Sequence, residues 1–193
     1  MFKFTTIPGK DLEKIRLMKG GSQISRDFEM TGGQAASTFT FPHETYTLTT
    51  KDLKNTGSFK PVLSGMRVIE AGNDNFNTIY DLNKTETGSE PHQFMDKHFL
   101  KEYEAAFNSI LGTQMEEDNY EVRTLKVPSL HIEALWLHKA DHPDEDQFLP
   151  VRMVGKPLEN RLYSQAAFLE ALSVIDDRYE AGSNLENTDM LGG

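Results

Sequence analysis

One segment constrains the fold of this chain more than any other. Residues 127–151 (VPSLHIEALWLHKADHPDEDQFLPV) carry the strongest strand signal, the only tryptophan and three of the six histidines. Their apolar side chains alternate at first and then occupy both parities towards Leu137. A strand that is apolar on both faces must be covered on both sides. The segment therefore predicts a hairpin that lies at the centre of a sheet.

Further hairpins extend the predicted sheet. Residues 65–82 predict two strands joined by the turn sequence GNDN, with alternating apolar side chains on an inward face. An earlier pair of strands is predicted to turn near residues 32–33, and Pro42 in the next strand indicates a bulge, a bend or a break. Residues 119–127 predict one more strand.

Three segments show the spacing of an amphipathic helix. Residues 10–19 predict a short helix, and about residues 91–111 predict a long one with a continuous apolar stripe. The polar residues 83–90 before it predict a loop, with Ser89 as the helix cap. A C-terminal helix is predicted at about residues 164–180.

The order of these elements predicts the fold class. Hairpins are frequent and strand-helix-strand units are rare, which is typical of an α+β fold with a largely antiparallel sheet. A length of 193 residues suits a single domain packed by the two longer helices. We expect this domain to cover residues 1–180, followed by a flexible polar tail at 181–193. We interpret the terminal Leu-Gly-Gly as a frayed end rather than as the diglycine of a modifier.

Composition excludes several kinds of chemistry and location. The chain has no cysteine, which excludes disulfides, thiolate metal sites, iron–sulfur clusters and cysteine nucleophiles. Its N-terminus lacks the apolar run of a secretory signal, and no stretch is apolar enough to cross a bilayer. We therefore expect a cytoplasmic protein without a membrane partner.

Charge is strongly negative and uneven along the chain. The net charge is −10, with +3 in residues 1–60, −7 in residues 61–120 and −6 in residues 121–193. An acidic surface disfavours binding to nucleic acid or anionic lipid, because both require phosphate neutralisation by basic side chains. Solubility is the simplest explanation of this charge, and steering of a basic protein partner is the sharper one.

The candidate site residues lie in the central segment. Ser129, His131 and Glu133 share one face of the predicted strand and superficially offer a nucleophile, a base and an orienting acid. Same-face neighbours on a strand are about 6.5–7 Å apart, which is too far for a serine hydroxyl to reach the imidazole. No G-x-S-x-G motif surrounds the serine. We interpret the three residues as the polar rim of a ligand pocket, with Trp136 close by.

A metal site at the same place is an alternative. His131 and Glu133, two apart on a strand, can converge on one ion if a third ligand comes from Glu121 or from His43 and Glu44. The sequence has no H-E-x-x-H motif to support this hypothesis.

Two further ligand motifs are incomplete. The acidic turn HKADHPDED lacks the alternating oxygen ligands and the glycine of a calcium loop. The paired glycines lack the context of a phosphate-binding loop. We predict no cofactor.

These observations favour a non-enzymatic module that binds a protein partner or associates with itself through strand edges. The alternative hypothesis is a small-molecule or metal-dependent hydrolase with a pocket near His131 and Glu133.

Overall fold

The structure is a computed structural model, and its strands form one continuous sheet flanked by helices. The residues that it describes are 2–19, 38–51, 59–72, 75–112, 119–155 and 157–189.

Three helices and eight strands are formed by the described residues. In chain order they are α1 (Gly9–Met18), β1 (Thr38–Thr47), β2 (Val62–Gly72), β3 (Asn75–Thr85), β4 (Gly88–Phe94), α2 (Lys97–Leu111), β5 (Glu121–Val127), β6 (Ile132–His138), β7 (Gln147–Met153), β8 (Tyr163–Ser164) and α3 (Gln165–Asp189). One-turn 3₁₀ helices at Pro128–Leu130 and Pro143–Glu145 flank β6.

The sheet consists of two meanders that start side by side at its centre. The strand order is β4-β3-β2-β1-β5-β6-β7-β8. The central pair β1 and β5 is parallel, and every other neighbouring pair is antiparallel. The chain returns from the β4 edge to the centre through α2. This topology confirms the predicted α+β class and the largely antiparallel sheet.

Helix α2 covers one face of the sheet. Its apolar stripe, which includes Phe107 and Ile110, packs on Ile79 of β3 and on Leu135 and Leu137 of β6. All of these side chains are fully buried. The period of the stripe matches the helix, and the strand residues that meet it are two apart, so each element presents one apolar face.

Helices α1 and α3 cover the opposite face. Ile15 of α1 packs on Val68 and Tyr80, while Phe168 of α3 stacks on Phe148 with ring centroids 4.8 Å apart. Strand β6 is buried on both sides, as the apolar pattern around Leu137 predicts. The sheet is thus the middle layer between helices.

The long helix begins later than its sequence pattern predicts. Residues 91–94 are extended and belong to β4, and β3 continues to Thr85, so the predicted loop at 83–90 is mostly strand. The proline that suggested a first helical turn lies instead in the edge strand, where a missing backbone N–H is tolerated. The predicted start of the helix at residue 91 is therefore wrong by six residues.

A different residue caps this helix. The side chain of Asp96 accepts a hydrogen bond of 2.8 Å from the backbone N–H of Phe99. Ser89, the predicted cap, donates its hydroxyl to Asp11 of α1 instead. Its real role is to join the edge strand to α1.

The remaining predicted elements have mixed outcomes. The β2–β3 and β6–β7 hairpins are confirmed, and a bulge interrupts the register of β1 at Pro42. The predicted position of the β6–β7 hairpin at the centre of the sheet is wrong, because β1 and β5 form the centre and β6 and β7 lie towards the β8 edge. The predicted turn near residues 32–33 lies outside the described residues. Helix α3 begins at Gln165 and continues to Asp189, so it includes nine residues of the predicted tail.

No described helix combines the length and the apolar character needed to span a bilayer.

Candidate functional site

The predicted polar trio is split by a turn. Ser129 lies in the 3₁₀ helix after Pro128, and β6 begins only at Ile132. His131 closes this turn in a left-handed conformation, with φ 51° and ψ 41°, and its N–H donates to the Pro128 carbonyl at 3.1 Å. Ser129, His131 and Glu133 therefore do not share a strand face as predicted. The proline forces a turn where the alternation of side chains indicated a strand.

Two of the four candidate residues border one cleft. His131 and Glu133 line a cleft of about 370 Å³ together with Lys126, Arg152, Pro128, Ile132 and Val154. Ser129 is exposed outside this lining. The lining of the cleft comes from the end of β5, the start of β6 and the end of β7, together with residues that adjoin these strands.

Trp136 lies on the other face of β6. Its ring is buried in the core beneath α3, and its indole N–H donates to Asp146 at 2.7 Å. Asp146 also accepts from His138 and from the backbone N–H of Lys139. This carboxylate thus holds the acidic turn closed against the strand.

A buried ion cluster adjoins the cleft through Glu133 and Lys126, which line it. Arg67 is fully buried and donates to Asp81 at 2.5 and 2.7 Å and to Glu133 at 2.8 Å. Lys126 donates to the same Asp81 carboxylate at 2.6 Å. Two carboxylates are therefore bridged by one guanidinium, and Lys126 links this cluster to the cleft.

The charges of this cluster keep its carboxylate ionised. Burial alone would raise the pKa of Asp81, but the charge and hydrogen bonds of Arg67, together with Lys126, lower that pKa well below its ordinary value. Arg67 in turn lies 5.0 Å from the ring centroid of Tyr103 and 5.8 Å from that of Phe99, both on α2. The helix therefore covers the ion cluster with aromatic rings.

Arg152 is the basic residue at the mouth of the cleft. It lies opposite Glu133 in the register of β6 and β7, and it is exposed. Its guanidinium carbon is 5.2 Å from the centroid of the Phe99 ring. It forms no hydrogen bond or ion pair with any residue that the structure describes. Its charge is thus available to a ligand.

A second hollow adjoins the cleft. Arg152 and Val154 border both, and the hollow measures about 420 Å³. Its other lining residues are Phe94, Asp96, His98, Phe99, Glu102 and Met153. Asp96 caps α2, and Glu102 lies 3.4 Å from His98. The acidic groups of this hollow therefore have partners within the protein.

His43 lies near the cluster but outside the cleft lining. It is fully buried, with Nε2 at 3.0 Å from the Tyr103 hydroxyl and 2.9 Å from the Thr124 hydroxyl, and Nδ1 at 2.6 Å from the Phe41 carbonyl. Burial lowers the pKa of His43 to about 3, so the ring is neutral at pH 7. Both ring nitrogens have partners, which leaves neither for a substrate.

The alternative metal site lacks a ligand set in the described part of the chain. No group of three His, Cys, Asp or Glu side chains there is arranged to hold an ion. Glu121, one predicted third ligand, pairs with Arg123 at 2.7 Å. His43, another predicted third ligand, is hydrogen-bonded to the hydroxyl groups of Tyr103 and Thr124.

The sequence pattern did not indicate the basic residues of the cleft and of the adjoining ion cluster. Arg67, Lys126 and Arg152 lie on three different strands, and each stands alone among apolar neighbours in the sequence. A usable signal was Arg67, because a charged residue within a strongly apolar strand indicates a buried partner.

Comparison with known proteins gave no match to a family model, to a curated protein or to a solved structure.

Proposed function

We propose that this protein is a non-enzymatic module that binds a partner protein, and that an acidic group of the partner enters the cleft beside His131 and Glu133. The observation that carries this proposal is Arg152. An exposed guanidinium beside Lys126 in a chain of net charge −10 is a local site for a negative group.

The arrangement of the other polar groups supports binding rather than catalysis. Asp81 is held by Arg67 and Lys126, and Glu133 accepts from Arg67. A carboxylate engaged in this way is a weak base, because the neighbouring positive charges stabilise its ionised form. What the cleft offers a ligand is positive charge and apolar surface.

The edges of the described sheet favour the cleft over strand addition as the binding route. Edge strand β4 contains Pro91, and Lys14 of α1 donates to the Ser89 carbonyl at 2.7 Å. Prolines and lysines at an edge discourage pairing with another strand. The other edge, β8, is only two residues long.

Capture from a lysate of the host tests the proposal. Wild-type protein, Arg152→Glu and the control Arg178→Glu are immobilised in equal amounts, and bound proteins are identified by mass spectrometry. Arg178 is also exposed but lies on α3, on the opposite face of the sheet. We expect one partner to be retained by wild type and by Arg178→Glu and to be lost by Arg152→Glu.

Two results would contradict the proposal. One is the same partner bound equally by Arg152→Glu. The other is that wild-type protein retains no partner from the lysate and is also a strict monomer in native mass spectrometry.

A hydrolase acting on small molecules is the second candidate, because His131 and Glu133 do border the same cleft. Its test is a panel of ester, amide and phosphoester substrates with elemental analysis of the purified protein. Turnover that is lost in both His131→Ala and Glu133→Gln, and kept in Ser129→Ala, would favour this candidate.

A further inference from the structure

We propose that the cleft and the adjoining hollow together bind a carboxylate that is carried next to an apolar group. This inference rests on the proposed function and specifies the chemistry of the ligand. The carboxylate binds at Arg152 and Lys126, and the apolar group occupies the hollow bordered by Phe94, Phe99 and Val154.

The orientation of Arg152 favours a carboxylate. Its guanidinium carbon lies over the Phe99 ring, 5.2 Å from the ring centroid, so the aromatic ring holds the group from one side. The N–H groups of a guanidinium point outwards in its plane, and in Arg152 they have no acceptor among the described residues. Two parallel N–H groups match the two oxygens of a carboxylate.

The charge of the cleft favours a ligand with a single negative charge. Two cationic groups of the cleft lining (Lys126 and Arg152) accompany one carboxylate (Glu133), which leaves one positive charge in excess within the cleft, while the adjoining hollow contributes Asp96 and Glu102. One carboxylate neutralises that excess. A phosphate dianion exceeds it and lies beside Glu133, which costs repulsion between like charges.

The adjoining hollow favours an apolar neighbour for that carboxylate. Phe94, Phe99, Met153 and Val154 contribute apolar surface, and Val154 is 57 % exposed although it borders both spaces. A group attached to a carboxylate at Arg152 reaches this surface directly, because Arg152 separates the two spaces.

Two sources carry this chemistry. One is the carboxy-terminus of a polypeptide whose last residue is apolar, and the other is a free branched-chain or aromatic acid. The peptide is the source that agrees with a protein partner, and the experiment separates the two.

Fluorescence anisotropy with a labelled peptide tests the inference. The probe is a fluorescein-labelled peptide ending in Gly-Ser-Gly-Leu with a free carboxylate, and its matched controls end in Leu-amide and in Ser with a free carboxylate. We expect the affinity to fall about tenfold or more for the amide, because a charge-assisted pair is lost. The same fall is expected for Arg152→Ala, and none for Arg178→Ala. The Ser peptide is expected to bind more weakly than the Leu peptide.

Competition identifies the source of the carboxylate. Displacement of the peptide by 4-methylpentanoate at a concentration near the peptide's own Kd supports a free acid. Failure of this acid to displace a tightly bound peptide supports the polypeptide terminus.

Several results would overturn the inference. These are equal binding of acid and amide, competition by inorganic phosphate as strong as that by a carboxylate, or no binding of any probe. If no probe binds while lysate capture still depends on Arg152, the ligand chemistry is wrong and the proposed function stands. If no probe binds and the partner captured from the lysate is also retained by the Arg152 variant, the inference and the proposed function are both wrong.

Discussion

The guanidinium of Arg67 donates two parallel hydrogen bonds, of 2.5 and 2.7 Å, to the two carboxylate oxygens of Asp81. The two residues face each other across β2 and β3, and both are buried beneath α2. The pair also organises the cleft, because Arg67 reaches Glu133 and Asp81 reaches Lys126. A structural ion pair thus orients two groups of the candidate site.

Removal of one partner of this pair should be costly. Arg67→Met removes the guanidinium from Glu133 and from the buried Asp81, which keeps Lys126, and we expect the free energy of unfolding at pH 7 to fall by about 3–5 kcal/mol. Urea denaturation followed by the fluorescence of Trp136 measures this change. The double variant Arg67→Met with Asp81→Leu should recover part of the loss. A single variant as stable as wild type would contradict this account.

His43 should make stability depend on pH below neutrality. Its pKa is about 3 in the folded protein and 6.5 in the absence of burial, so the unfolded chain binds a proton first as pH falls. The contribution of the neutral His43 to the free energy of unfolding should be present above pH 6.5 and should be lost progressively as the pH falls towards 3. The slope from this group is at most about 1.4 kcal/mol per pH unit.

Urea denaturation between pH 4.5 and pH 7 separates this effect from that of Asp81. Because the pKa of Asp81 is lowered, the contribution of that carboxylate to stability changes at lower pH. His43→Gln keeps a hydrogen-bonding side chain without the titration, so its slope in this range should be smaller than that of wild type. Equal slopes would count against a buried neutral imidazole.

Gly65 should tolerate no side chain. A Cβ atom at this position of β2 would lie 2.2 Å from the backbone oxygen of Leu82 on β3. We expect Gly65→Ala to lower the free energy of unfolding by about 1–3 kcal/mol or more, because the two strands must separate. Gly9→Ala is the matched control, since nothing lies within 4 Å of its added Cβ. Thermal unfolding of the two variants compares them directly, and equal Tm values would refute the close approach.

Asp146 should matter for stability although it lies next to a solvent-exposed turn. It is buried and accepts from the Trp136 indole at 2.7 Å and from the Lys139 backbone at 2.8 Å. Asp146→Ala leaves these two donors without their acceptor. We expect the free energy of unfolding to fall by about 2–3 kcal/mol and the tryptophan emission to shift. Asp144→Ala, an exposed neighbour, should leave both the stability and the emission unchanged.

Arg152 should contribute to binding and little to folding. It is exposed and has no ion pair among the residues described, so Arg152→Ala should change the free energy of unfolding by no more than about 0.5 kcal/mol. Chemical denaturation of this variant checks the expectation. A large loss would mean that the guanidinium is structural, and that its effect on ligand binding cannot be interpreted by itself.

Local sequence patterns were sufficient for most of the elements. The stripe of α2, the β2–β3 hairpin and the β6–β7 hairpin follow from side-chain periods and turn residues that lie close together in the chain. The errors are also local in origin. Pro91 suits both a first helical turn and an edge strand, and only its pairing with Leu82 selected the strand. Pro128 similarly begins a turn, so β6 starts later than predicted. The apolar residues around this turn alternate as in a strand, which is why the sequence pattern did not indicate the turn.

The sequence by itself determined the α+β class and the strand that is covered on both faces, because these follow from short-range periodicity. Only the tertiary structure decided that Lys126 and Arg152 meet at the cleft and that Arg67 bonds to Glu133. The three basic residues come from β2, β5 and β7, and the order and register of those strands depend on long-range pairing and on the crossover through α2. Charge complementarity between residues so far apart in the chain has no signature in the spacing of neighbouring residues.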